Sequence, residues 1–240
     1  MDALLFAAGL GARLAPLTDR VPKALLEVGG MTLLERNARR LAAAGADRIV
    51  VNVHRFPDQF EDRLRKMTGV GAEVVLSREP VHPLETGGGL WAARDLLRRD
   101  APFFLHNADL WTDLPLVDLH AAHVSRGALA TLAVMERPSS RRLLFDGDGL
   151  FGRVDESKGL RVAVRPPRGP VLELGFTGVH VASPALLDRI EERGVFSILD
   201  PYLRLAGAGE RVLPFRADGC AWIDVGRPAD LERARDLAVR

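Results

Sequence analysis

The chain has 240 residues, 47% hydrophobic and 27% charged, with 33 basic and 32 acidic side chains and a formal net charge of +1. That balance excludes binding driven by bulk charge, so neither a nucleic acid nor a membrane is an expected partner, and the length suffices for a large buried core. The lone Cys220 excludes an internal disulfide framework, and there is no eighteen-residue apolar run or leader-like N-terminus, so a cytoplasmic protein is expected.

The first apolar run, "ALLFAA" (3–8), reads as a buried strand. It feeds "GLGARLAPLTDRVPKALL" (9–26), where Gly9 and Gly11 bend the chain and Pro22 disfavours helix at Val21. A long irregular loop is therefore expected before the next regular element. The stretch 33–45 has Leu33, Leu34, Ala38, Leu41 and Ala42 at helical spacing and stops at Gly45. A β-branched strand is expected at 47–53, a polar helix with Pro57 in its first turn at 57–69, a strand at 72–77 and a helix at 88–99. "PFFLHNADL" (102–110) is apolar until Asn107 and Asp109. Strand and helix alternating in this way predict an α/β fold, a parallel sheet with helices on both faces.

The second half is less regular. The spacing predicts strands at 128–135 and 174–181, with 136–172 between them reading as hairpins and loops rich in Arg, Gly, Pro and Asp. Helices are expected in 184–194 and 197–209, strands at 211–215 and 221–226, and a last helix at 228–239. No repeat or linker interrupts the chain, so one domain over 1–240 is expected, with a substrate-binding part at roughly 136–215.

Open parallel sheets bind ligands beyond the carboxyl ends of their strands, which is where the loop 9–26 should emerge. Gly9 and Gly11 would let backbone N–H groups approach an oxyanion. The loop is not a P-loop, since no Gly-Lys-Ser/Thr follows. Nor is it a dinucleotide fingerprint, since Leu14 stands in the third glycine's place. Arg13 offers a forked contact to phosphate and Lys23 a compact point charge. A loop arginine is commonly no more than a solvated cation. Lys23 resists that reading, because the chain has thirty Arg against three Lys (Lys23, Lys66 and Lys158) and this one sits amid Pro22, Ala24, Leu25 and Leu26.

Asp109, just past an apolar strand, and Asp224 in "CAWIDVGRP" (220–228) would suit Mg²⁺ if they converge, because that ion takes one or two carboxylates and borrows other ligands from phosphate and water. Each can equally be an Asp that ends a strand and caps a turn. The glycines of "PLETGGGL" (83–90) can form a turn on which a flat base lies, or simply a flexible turn opening a helix. His120 and His123 share a helical face without completing a zinc pattern and read as solvated. Trp91 and Trp111 read as core or pocket wall.

Together, "GLGARLAPLTDRVPKALLEVGG", "LETGGG", "NADLWTD", "FTGVHV" and "WIDVG" resemble the sugar-1-phosphate nucleotidyltransferases. Their loop signature is G-x-G-x-R-(L/M)-x-P-L-T followed by P-K-P/A-L-L, and the likeness spans nearly the whole chain. It implies a Rossmann-like three-layer α/β/α sandwich around a mixed, mostly parallel sheet. It also implies that Ala8, Gly9, Gly11, Ala12 and Arg13 meet the nucleotide phosphates, with Arg13 on the leaving pyrophosphate. Lys23 would stabilise charge at the reacting centre, Glu85, Gly87 and Gly88 would meet the base, and Asn107 the nucleoside. Asp109 and Asp224 would hold Mg²⁺, and Thr177 and Gly178 would face the sugar. Arg13, Lys23 and Asp109 form the implied catalytic set.

Many members carry a mid-chain Glu-Lys-Pro whose Lys contacts the sugar phosphate. This chain has "DESKGLRVAVRPP" there, leaving Lys158, Arg165 or neither for that part. No appended β-helical acetyltransferase domain is expected after "WIDVG". Within the family, "LETGGG", "NADLWTD" and the length are most like the enzymes of peptidoglycan recycling that join UTP to N-acetylmuramate 1-phosphate. Mannose- or heptose-1-phosphate guanylyltransferase is the alternative. A non-catalytic sugar-nucleotide-binding regulator is disfavoured, because Arg13, Lys23 and both Asp are present. The implied partners are an NTP and a sugar 1-phosphate. The implied chemistry is in-line attack that releases pyrophosphate, limited by positioning and charge neutralisation rather than by a side-chain nucleophile.

Overall fold

The computed structural model describes residues 1–79 and 81–238. The first half runs β1 (Asp2–Phe6), a loop with three short 3-10 turns, β2 (Glu27–Val28), β3 (Met31–Thr32), α1 (Leu33–Ala43), β4 (Arg48–Val53), α2 (Pro57–Lys66), β5 (Glu73–Arg78), α3 (Glu85–Ala93), β6 (Phe103–Asn107), β7 (Leu110–Thr112) and α4 (Leu116–Arg126). The second half adds β8 (Ala130–Met135), β9 (Arg141–Asp146), β10 (Gly149–Asp155), β11 (Leu160–Ala163), β12 (Leu172–Ala182), α5 (Ala185–Arg189), α6 (Leu199–Gly207), β13 (Val212–Arg216), β14 (Trp222–Asp224) and α7 (Pro228–Ala238).

Apolar strands buried on both faces suit a parallel sheet, and β5, β4, β1 and β6 pair in parallel in that spatial order. Alternation along β1 then sorts its side chains. Leu4 and Phe6 pack with Val50 under α3, α5 and α6, while Ala3 and Leu5 pack with Ile49 and Val51 under α1, α2 and α4. The result is the expected three-layer sandwich. α1 starts where the Thr32 hydroxyl accepts a hydrogen bond from the Glu35 N–H at 3.2 Å, supplying a partner for one of the orphan donors of its first turn.

The sheet turns mixed at β12. Its C-terminal half pairs antiparallel with β6 and its start with β9, while its other edge carries β8, to which β13 adds in parallel. The hairpin-rich region 136–172 resolves into three antiparallel strands, β9, β10 and β11. Three helices are shorter than their periodicity suggests: α2 ends at Lys66, α5 at Arg189, and α6 covers only Leu199–Gly207. The helix expected at 88–99 begins three residues earlier, at Glu85, and gives way to a 3-10 turn at Arg94. The last helix is seen to Ala238, and residue 239 of its expected span lies outside the described residues.

The loop after β1 does not float. Leu14, Leu26 and Val28 bury themselves with Trp111, Ile223, Val225 and Leu231, so the loop is stitched to β7, β14 and α7. Among the described residues no helix is long and apolar enough to cross a membrane.

Candidate active site

The site lies at the carboxyl ends of β1, β4 and β6. Gly11 adopts φ +67°, its carbonyl accepts a hydrogen bond from the Thr18 hydroxyl at 2.9 Å, and a Cβ there would stand 2.9 Å from Thr18 Cγ2. Only glycine fits such a left-handed bend at low cost. Gly9, by contrast, faces open space. Farther on, a 3-10 turn over Lys23–Leu25 directs Lys23 back under the loop.

β7 and β14 form a two-stranded ribbon with Asp224 opposite Leu110, and the Val225 N–H donates to the Asp109 carbonyl at 3.1 Å. This pairing brings the two aspartates together. The Lys23 ammonium donates to Asp109 Oδ2 at 2.5 Å and to Asp224 Oδ1 at 3.0 Å. Burial pulls the Lys23 pKa down, but the two carboxylates outweigh it and hold it above the usual lysine value. Burial raises the Asp109 pKa above the carboxylate range, with Lys23 opposing and Asp224 adding to the rise. Asp109 Oδ1 is buried without a hydrogen-bond partner among the described residues.

That donor set fits a small hard divalent cation: two carboxylates, each with an oxygen that accepts no hydrogen bond among the described residues. No group of three or more His, Cys, Asp or Glu gathers into a full metal cage among the described residues. Such a cation would therefore take its other ligands from phosphate and water.

A cleft of about 260 Å³ opens beside the ion pair, lined by Ala8, Gly9, Lys23, Asn52, Pro83, Glu85, Thr86, Asn107 and Asp109 among others. Asn52 is part of its wall, and the buried Glu79 holds Asn52 in place. Asn52 Oδ1 accepts from the Ala7 N–H at 2.7 Å, Asn52 Nδ2 donates to Glu79 Oε1 at 2.7 Å, and Glu79 Oε2 accepts from the Leu84 N–H at 2.8 Å. The sequence reading missed both residues. An Asn inside the β-branched run of β4 was the available signal. Arg13 is exposed, and its guanidinium lies over Gly226, where a Cβ would come within 2.9 Å of it. Gly11, Ala12 and Arg13 lie outside the lining of the cleft, while Ala8, Gly9, Lys23, Glu85 and Asn107 line it.

Three expectations need correction. The glycines of "LETGGG" are not a turn but the buried first turns of α3. The N–H groups of Gly87 and Gly88 donate to the Phe196 carbonyl at 3.0 and 3.2 Å, so they are not free to read a base. Their role is close packing: a Cβ on Gly88 would stand 2.3 Å from the Gly194 carbonyl. Thr177 does not face a ligand. It is 1% exposed, its hydroxyl donates to the Ala133 carbonyl at 2.9 Å, and it sits where the β12–β8 register shifts. Gly178, at φ +83°, leaves room for Asn107, whose Nδ2 would lie 2.5 Å from a Cβ. His123 is not solvated but 2% exposed, with its Nδ1 3.1 Å from the Thr131 hydroxyl. Trp111 is core, as expected, and Trp91 lies between the Arg94 and Arg193 guanidinium groups.

A second cleft shares Glu85 with the first and is lined by Arg141, Arg142, Arg153, Lys158, Phe176 and Ser197 among others. Glu85 stands at this junction with φ +60°, a left-handed backbone that costs a non-glycine residue about 1 kcal/mol or more. Of the two candidates for the absent mid-chain lysine, Lys158 lines this cleft. Arg165 does not: it is bound to Asp146 through two hydrogen bonds of 2.6 and 2.7 Å, in a different cleft.

Residues 2–239 match the nucleotidyl transferase family. The chain belongs to that family. The resemblance of the loop to the sugar-1-phosphate nucleotidyltransferases is borne out, and the protein is an enzyme of that kind. It is 35% identical to the N-acetylmuramate α-1-phosphate uridylyltransferase of Neisseria meningitidis serogroup B, over 99% of this chain and 98% of that one. It is 33% identical to the mannose-1-phosphate guanyltransferase of Schizosaccharomyces pombe, over 96% of this chain but 62% of the longer enzyme. In fold it is similar to a putative glucose-1-phosphate thymidylyltransferase from Bacillus anthracis, with a TM-score of 0.82, 16% identity and coverage of 99% and 95% of the two chains.

Proposed function

We propose that the protein transfers uridylyl from UTP to N-acetylmuramate 1-phosphate, giving the UDP-sugar and pyrophosphate. The observation that carries nucleotidyl transfer is the meeting of Lys23, Asp109 and Asp224 at the mouth of the nucleotide cleft. The near full-length 35% identity to a uridylyltransferase supports the finer reading.

In this reading the nucleotide enters over Gly9, with its nucleoside against Asn107 and its phosphates towards Gly11, Ala12 and Arg13. Asp109 and Asp224 would hold Mg²⁺, which supplies charge neutralisation to the phosphates when bound. Lys23 keeps the two carboxylates in register and presents a fixed positive charge to the phosphorus under attack. Arg13 faces the departing pyrophosphate. The acceptor phosphate is ionised at neutral pH, so no side chain need remove a proton, and the protein's contribution is to position two polyanions and offset their repulsion.

The test is pyrophosphate release with each NTP, Mg²⁺ and a panel of sugar 1-phosphates. Equal concentrations of UTP and GTP in competition should favour UTP. The relationship to mannose-1-phosphate guanyltransferase supports a second reading. A tenfold preference for GTP, about 1.4 kcal/mol, would favour that one instead.

A further inference from the structure

Arg137 follows β8 and so emerges at the ligand edge of the sheet, yet none of the motifs above contains it. Its guanidinium lies 4.2 Å from the centroid of the Trp222 ring, two residues from Asp224. The ring is itself fixed, since Trp222 Nε1 donates to the Thr177 carbonyl at 2.9 Å. Arg137 Nη2 donates to the Phe176 carbonyl at 3.1 Å, and a Cβ on Gly175 would stand 2.9 Å from Nε. A glycine, an indole and a carbonyl therefore hold the side chain in one place.

Its charge has no direct counterpart. Arg39, Arg63, Arg142 and Arg153 each touch a carboxylate. Arg137 forms no ion pair among the described residues, and its Nε is buried without a partner. Asp224 is the charged group that acts on it, opposing the fall in pKa that burial causes. A partly desolvated guanidinium without a carboxylate is costly unless an anion joins it. Phe176, whose carbonyl it holds, also lines the second cleft, which shares Glu85 with the first.

We propose that Arg137 binds the phosphate of the acceptor, taking the part that a mid-chain lysine plays in many relatives; this rests on the sugar-1-phosphate reading above. The anion arriving from the second cleft meets a forked donor set suited to phosphate. It is then held near Asp224 and Lys23, facing the nucleotide.

Two measurements on Arg137→Met, which keeps an apolar stem over Trp222, and on Arg137→Lys test this. In steady-state pyrophosphate release, Arg137→Met should raise KM for the sugar 1-phosphate about tenfold or more, as expected for loss of a charge-assisted hydrogen bond, with KM for UTP within about twofold of wild type. Arg137→Lys should recover part of the loss. In calorimetric titrations without nucleotide, inorganic phosphate and glucose 1-phosphate should bind Arg137→Met about tenfold more weakly than wild type. An unchanged acceptor KM, an equal rise in both KM values, or equal binding of the phosphate probes by a variant of unchanged melting temperature overturns the proposal. So does a wild-type protein that binds neither probe. A wild-type protein that binds the probes but turns over no sugar 1-phosphate overturns the transfer reading, and the calorimetry alone then decides for Arg137.

Discussion

Asp146, buried at the end of β9, and Asp109, half-buried just past the end of β6, are two acids that meet different numbers of donors. Asp146 is saturated: Arg165 donates two hydrogen bonds, and the N–H groups of Arg168 and Asp148 donate two more at 2.7 and 3.0 Å. With Arg165 as the leading cause, its pKa falls well below the usual carboxylate value. Asp109, at the ligand edge, receives Lys23 on one oxygen and nothing on the other, and its pKa lies above the usual value. The same residue type thus builds a closed structural knot in one place and an unfinished site in the other. The difference is how many donors the chain supplies to offset burial, four to Asp146 and one to Asp109.

The comparison can be broken at either end. The largest effect is expected from Asp146→Ala, which strands Arg165 beside a hole. Unfolding free energy in urea should fall by about 3 kcal/mol or more, the cost of breaking a buried ion pair, while kcat per folded molecule stays within twofold, roughly the measurement error. Asp109→Asn should do the reverse. It should keep its melting temperature and lose turnover on the order of 10²-fold, about 2.7 kcal/mol of transition-state stabilisation. Near wild-type turnover at limiting Mg²⁺ would remove Asp109 from the site.

Lys23→Met should lower kcat/KM by a similar order, about 10²-fold, and Lys23→Arg should recover it only in part, because a planar fork cannot sit between two carboxylates as a compact ammonium does. Full activity in the arginine variant would reduce the contact to general charge screening.

The smallest effect per residue sharpens the contrast with a third kind of buried group, one with no charge at all. Burial lowers the His123 pKa to about 4, and those of His106 and His180 to about 4 and about 3. The folded state therefore favours their neutral forms. Their contribution is complete above about pH 6.5 and is lost as pH falls towards 4, at about 1.4 kcal/mol per pH unit for each proton that unfolding takes up. Urea midpoints between pH 7 and 5 should fall accordingly, and His123→Leu should flatten the slope by about one proton.

Much of the cleft beside β1 was legible, for local reasons. Gly11 demanded a left-handed bend, Lys23 stood out in an arginine-rich chain, and Asp109 and Asp224 each ended an apolar run. Their convergence was not legible, because it depends on the β7–β14 ribbon, three residues on each side. The glycines of α3 misled because a triple glycine spells a turn unless a neighbour, here Phe196 and Gly194, needs the space. The 136–172 region hid its strands because its arginines pair across them, Arg142 with Glu173 and Arg141 with Asp155, blurring the alternation that marks a strand. Arg137 carried no signal at all: its meaning comes from Trp222, far away in the chain.

The Lys23 bridge has a consequence for folding. It joins residues 86 and 201 positions apart, through strands that must already be paired in order. Contacts of such long range close late, after most of the chain entropy has been given up. The three charges should therefore assemble late, and a partly folded chain should be chemically silent rather than weakly active. Ligands that engage all three side chains at once would then resist global unfolding rather than local fraying, so nucleotide affinity would report that the whole topology is complete.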